Sequence, residues 1–138
     1  MEKSCSTATI AQVVREYEGV KRKHAIGRMV NALKIDAPHV LAAFGEDAAV
    51  IEHNGEALLL AADGIWSRLM EADPYWAGYC SVLVNIHDIA AMGGRPIAMV
   101  DIFSATENSG IRDQVVKGMH DASEQFGVVG LPQEVGPS

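Results

Sequence analysis

The sequence predicts an α+β domain, and three observations carry that expectation. Two apolar runs flank Asn54-Gly55, the strongest short hairpin signal in the chain. A long apolar stretch from Trp76 to Met92 follows and is stopped by Gly93-Gly94 and Pro96, the pattern of a buried helix. Outside these, apolar residues recur at helical spacing. The order is α-α-β-β-α-β-α, which a short final strand can extend.

The elements follow in turn. Residues 1–8 are small and polar and are expected to be loose. A helix is expected from about Ile10 to Tyr17, closed by Gly19. A second runs from about Lys23 to Leu33, with Ile26, Met29, Val30 and Leu33 on one face, until Pro38 breaks the pattern. Ala48 to Glu52 reads as a strand and Ala57 to Ala62 as its hairpin partner, ending at Asp63-Gly64. Ile65 to Tyr75 reads as an irregular stretch in which Asp73-Pro74 marks a turn or a helix start. After the Trp76–Met92 helix, Ile97 to Phe103 reads as a strand. Asn108 or Ser109 can cap a last helix whose stripe is Ile111, Val115, Met119, Ala122 and Phe126. Gly127 ends it, and Val128-Val129 can open a strand. The tail over 131–138 is expected to be loose, because prolines cannot donate to a ladder.

Composition bounds the function. The 138 residues fit one domain, and 49% hydrophobic content suffices for a core. A net charge of −7, from 11 basic and 18 acidic residues, argues against sequence-independent nucleic-acid binding. It leaves room for a nucleotide, since a divalent metal offsets carboxylate and phosphate charge together. Cys5 and Cys80 form no metal motif and no disulfide framework. With neither a secretory pattern nor an apolar run long enough for a membrane span, the expected compartment is the cytoplasm.

Three groups of residues could carry chemistry. In Gly45-Glu46-Asp47-Ala48-Ala49-Val50, adjacent carboxylates stand at the mouth of a strand. Hard cations such as magnesium want oxygen ligands, one or two carboxylates plus phosphates. Taken alone, a charged loop is the simpler reading. Asp63 ends an apolar strand, where burying a carboxylate is costly unless it is paired. It serves a turn cap as readily as a ligand, yet hairpin geometry can bring it near Asp47. The third group is Ser81, Asn85 and Asp88, spaced by four and three along an otherwise apolar helix. Such a stripe points either at water or at a site. Gly93-Gly94 lets a ligand approach the backbone, or simply ends the helix. Lys21-Arg22-Lys23-His24 with Arg28 could reach phosphates, although a run of this kind is more often a solvated face. None of the five histidines stands at ligand spacing, and no Walker-type loop, dinucleotide fingerprint or nucleophile triad is present.

Together, Gly45-Glu46-Asp47-Ala48-Ala49-Val50-Ile51, Leu60-Ala61-Ala62-Asp63 and Val84-Asn85-Ile86-His87-Asp88-Ile89-Ala90-Ala91-Met92-Gly93-Gly94-Arg95-Pro96 resemble the N-terminal domain of the AIR synthase-related (PurM-like) family. That family includes aminoimidazole ribonucleotide synthetase, thiamine-monophosphate kinase, selenophosphate synthetase and a hydrogenase-maturation dehydratase. The motifs keep the family order over about Phe44 to Val100, and the likeness is greatest to stand-alone AIR synthase-like proteins. Selenophosphate synthetase is disfavoured, since Cys5 lacks the glycine–lysine context of its reactive residue.

The resemblance implies a chorismate-mutase-like domain, a mixed four-stranded sheet with helices on one face, dimerising through the sheet. It also implies ATP and magnesium as cofactors and phosphoryl transfer to an oxygen of a small molecule. Position by position, Glu46, Asp47, Asp63 and Asp88 would hold magnesium. Asn85 would orient phosphate or a metal-bound water, with Gly93 and Gly94 at the nucleotide. Family members carry a second, C-terminal domain, and their last strand leads into a Gly-Gly-(Asp or His)-Thr type motif. Here Val129-Gly130 gives way to Leu131-Pro132. The expectation is therefore a nucleotide-binding homodimer that is incomplete as a catalyst by itself. The alternative is a non-catalytic dimerisation or regulatory module that keeps the fold.

Overall fold

A computed structural model of the chain describes residues 6–33, 37–103 and 109–132. The chain divides into two compact units, Met1–Pro38 and His39–Ser138.

The first unit holds α1 (Thr7–Glu16) and α2 (Glu18–Leu33). Order begins earlier than predicted because Ser6 caps α1, its Oγ accepting from the Thr9 N–H at 3.2 Å. The helices part at Tyr17, which is extended (φ −62°, ψ 133°). Its carbonyl then accepts from the N–H groups of Val20 and Lys21, so α2 starts at once. Gly19, expected to close the first helix, therefore lies inside the second. No residue of α1 is buried.

The second unit opens with β1 (Val40–Ala42), β2 (Ala49–His53) and β3 (Glu56–Leu60), an antiparallel sheet in that order. The hairpin forms where predicted. Asn54 (φ 54°) and Gly55 (φ 82°) take the left-handed conformation that a tight two-residue turn demands. Pairing runs from His53 with Glu56 at the turn to Ala49 with Leu60 at the open end. β1 escaped the sequence reading because three residues are too few for a period to emerge. The stretch read as irregular contains α3 (Ser67–Ala72).

Next comes α4 (Pro74–Ala91), with Asp73 accepting from the Trp76 N–H at 2.9 Å and proline in the first turn. Beyond it lie β4 (Ala98–Asp101), α5 (Ser109–Phe126) and β5 (Val129–Pro132). Asn108, the alternative cap, lies outside the described residues. The core is the α4–α5 contact, where Ala77, Val82, Val115 and Ala122 are buried. The helices approach so closely that a Cβ at Gly78 would collide with the Val115 carbonyl, and one at Gly118 with the Tyr75 carbonyl. Burial of α4 is one-sided: Trp76 is 46% exposed, and Ile86 and Ile89 are half-buried.

Two expectations about the strands need correction. The tail was expected not to pair, yet β5 runs parallel to β4 from Val129 with Ala98 to Pro132 with Asp101. As an edge strand, β5 can tolerate a proline at its end. The strands also form a three-stranded antiparallel sheet and a separate two-stranded parallel one, not one four-stranded sheet. Residues of β3 and β4 both line one cavity, yet the two strands form no ladder with each other. The architecture is α+β with small sheets. Among the described residues no helix is long and apolar enough to cross a membrane.

Candidate functional site

The open end of the β2–β3 hairpin gathers the predicted acids. Ala49 pairs with Leu60, so Asp47, two residues before Ala49, and Asp63, three after Leu60, leave the sheet at the same end. Ala48 is 3% exposed and anchors the approach to β2, while Glu46 and Asp47 stay in solvent. From α4, Asn85 reaches this end. Its Oδ1 accepts from the Asp63 N–H at 2.9 Å, and its Nδ2 donates to the Ser81 carbonyl at 2.9 Å. Asn85 therefore grips the backbone that carries Asp63. Ser81 spends its hydroxyl on the Gly78 carbonyl at 2.7 Å, inside the helix.

Asp88 follows Asn85 by one turn, and its electrostatics place it with the other acids. Its carboxyl is raised above the usual range by loss of hydration first, then by the negative charges of Asp63 and Asp47, with His87 opposing. Asp88 thus feels the charge of both other carboxylates. The three do not form a finished cage: among the described residues no three acidic, histidine or cysteine side chains stand together so as to hold a metal ion. The donor set suits a cation that keeps most of its ligands from water or phosphate, as magnesium does.

Beside the acids lies a cavity of about 1070 Å³. Asp63 and Asn85 reach into it, and its walls include Leu58, Ile86, Met99 and Met119. Glu46, Asp47 and Asp88 stand outside it. Gly93 and Gly94 have a structural duty here. Gly93 (φ 75°) donates to the Ala90 carbonyl and Gly94 to the Ile89 carbonyl, which ends α4 in a Schellman motif. Gly94 also lets Leu59 pack where a Cβ would stand.

Two polar cavity residues escaped the sequence reading, Asp101 and Arg95. Asp101 carried a usable signal, an acid interrupting the apolar run from Ile97 to Phe103, which is the signal that singled out Asp63. A second cluster was also missed. Asp121 on α5 accepts from the Tyr75 hydroxyl at 2.9 Å and from Lys117 Nζ at 2.5 Å, tying α5 to the start of α4. Of the basic run, Lys21, Arg22 and Arg28 are exposed on α2 in the first unit, and the side chains of Lys23 and His24 lie outside the described residues.

Residues 45–131 match the family model described as AIR synthase related protein, N-terminal domain. The chain belongs to the AIR synthase-related family. An uncharacterized protein of Methanocaldococcus jannaschii is 47% identical to it over 124 residues, covering 86% of this chain and 38% of that protein. Another, from Synechocystis, is 49% identical over 84 residues, covering 61% of this chain and 26% of the relative. The thiamine-monophosphate kinase of Pyrococcus horikoshii is 33% identical over 91 residues, 62% of this chain and 29% of the kinase. The chain thus matches between about a quarter and two fifths of the length of these relatives.

Proposed function

We propose that this chain supplies the magnesium–nucleotide half-site of an ATP-using enzyme that transfers a phosphoryl group to an oxygen of a small molecule. The observation that carries the reading is geometric: Asp47 and Asp63 leave the hairpin at its open end, and Asn85, one turn before Asp88 on α4, is bonded to the Asp63 backbone there. Carboxylates held at one end of a hairpin, with no basic side chain paired to them among the described residues, favour a divalent cation. Glu46, Asp47, Asp63 and Asp88 would hold magnesium, which when bound supplies charge neutralisation for phosphate oxygens. Asn85 acts one step back, fixing Asp63 through its backbone N–H. Gly93, with open space where a Cβ would stand, would present bare backbone to the nucleotide, and Gly94 beside it holds the turn. Membership in a family that includes a named kinase supports the same reading.

A homodimer is the proposed assembly, and catalysis by this chain alone is not expected. Phosphoryl transfer depends on holding the acceptor in line, a positioning effect that can reach roughly 7–11 kcal/mol of barrier. Calorimetric titration with ATP tests the proposal. Binding should require magnesium and fall at least about tenfold in Asp63→Asn, the scale of one lost charged contact, with ADP release at background in the same samples. ATP binding that is absent, or unchanged by EDTA, would instead favour a non-catalytic module.

A further inference from the structure

The tip of the β2–β3 hairpin, at the opposite end from the acids, carries chemistry that the nucleotide reading does not use. Asn54 (φ 54°) and Gly55 (φ 82°) form the turn, and both are exposed. In this dipeptide the Gly55 nitrogen and the Asn54 side-chain carbonyl carbon are the ends of a chain that closes to a succinimide ring. A Cβ at Gly55 would meet nothing within 4 Å, so the backbone there is open. Two side chains flank the reacting atoms. The Gly55 N–H donates to Glu52 Oε1 at 2.8 Å, and Asn54 Nδ2 donates to His53 Nε2 at 3.3 Å. One lies on the proton that the nitrogen must lose, the other on the amide that must leave. Hydrogen-bond reach is the first requirement of a general acid or base, and such contacts are often loose before reaction. The other asparagines precede residues with side chains, Asn31 before Ala32, Asn85 before Ile86 and Asn108 before Ser109. Asn85 also spends its amide on the Ser81 carbonyl.

We propose that Asn54 is a self-modification site, deamidated by attack of the Gly55 nitrogen with Glu52 as base and His53 as acid. The bond that forms joins Gly55 N to Asn54 Cγ, and the bond that breaks is Cγ–Nδ2. The Gly55 proton passes to Glu52, and an imidazole proton passes to the leaving nitrogen, which departs as ammonia. Solvent returns the proton from Glu52 to His53. Water then opens the ring at either carbonyl, giving aspartate or isoaspartate. Water is the sole co-reactant, and nothing is oxidised or reduced. Either product places a new carboxylate between Glu52 and Glu56, where like charges repel. Isoaspartate also lengthens the backbone of a turn that the pairing of His53 with Glu56 keeps tight, so the converted hairpin is looser at its tip.

Incubation of the full chain at neutral pH in heavy-oxygen water, followed by peptide mapping with mass spectrometry, tests this. Asn54 should convert before Asn31, Asn85 and Asn108, taking up solvent oxygen and giving both aspartate and isoaspartate. Glu52→Gln and His53→Gln should each slow the conversion at least about tenfold, less than a fully buried acid or base contributes because both side chains are exposed. Unchanged circular dichroism would establish that the variants are folded. In urea, where the turn is lost, the three chains should convert alike. An Asn54 that stays an amide, a rate that either substitution leaves unmoved, or a difference that persists in urea would each overturn the proposal.

Discussion

Asp121 and Asp88 are aspartates moved in opposite directions by their neighbours. Asp121 is held down to about 2, first by its hydrogen bond from Lys117, then by that from Tyr75. A depressed folded-state value means that the contribution to stability is complete above the unfolded value of about 4 and is lost as pH falls toward 2. Thermal melts of Asp121→Asn should therefore lie below wild type at neutral pH and converge with it by about pH 2. Asp88 is the reverse case. Its raised value means that the folded state disfavours its charge, so its contribution is most favourable at low pH and is lost as pH rises through the folded value. Asp88→Asn should stabilise the protein at pH 7 by about 0.5 kcal/mol, a small figure because the site is largely solvated. Chemical denaturation reads this directly.

At the scale of elements, the α4–α5 crossing is the structural decision on which the site depends. Asn85 and Asp88 are positioned because α4 is clamped along its other side by Val115, Gly118 and Ala122. Gly118→Ala sets two effects against each other. Helix propensity favours alanine by about 1 kcal/mol, while overpacking costs about 1–3 kcal/mol. Because the added methyl would meet the Tyr75 backbone oxygen, which cannot rotate away, the clash wins. Urea denaturation should show a net loss of about 1–2 kcal/mol. Stacking of Trp76 on Tyr79 at 5.0 Å, and the Tyr79 hydroxyl bond to Gln125 at 2.9 Å, hold the same seam from its exposed flank.

For the whole molecule, the strands leave apolar surface in water. Leu58 and Leu60 on β3, Val100 on β4, and Ile97 and Ile102 beside it are all exposed, Ile102 at 84%. Surface of this kind, beside unpaired strand edges, is a liability in a monomer and is most often covered by twofold self-association. Light scattering at micromolar concentration should give twice the chain mass, and a monomer there would defeat the homodimer. Leu60→Lys should shift the equilibrium toward monomer, since a buried charge without a partner is costly.

Sequence alone determined what depends on local geometry. The Asn54-Gly55 turn, the proline-led start and glycine-terminated end of α4, and the stripe on α5 are each decided within a few residues by backbone sterics and periodicity. For that reason they were legible. So was the departure of Asp47 and Asp63 from the same end of the hairpin, which local strand pairing decides. Tertiary structure decided the remainder. That Asn85 grips Asp63, that β5 pairs in parallel with β4, and that β3 and β4 form no ladder with each other depend on contacts between distant segments. Such contacts are fixed by which surfaces exclude water together, and no local pattern of residues encodes that.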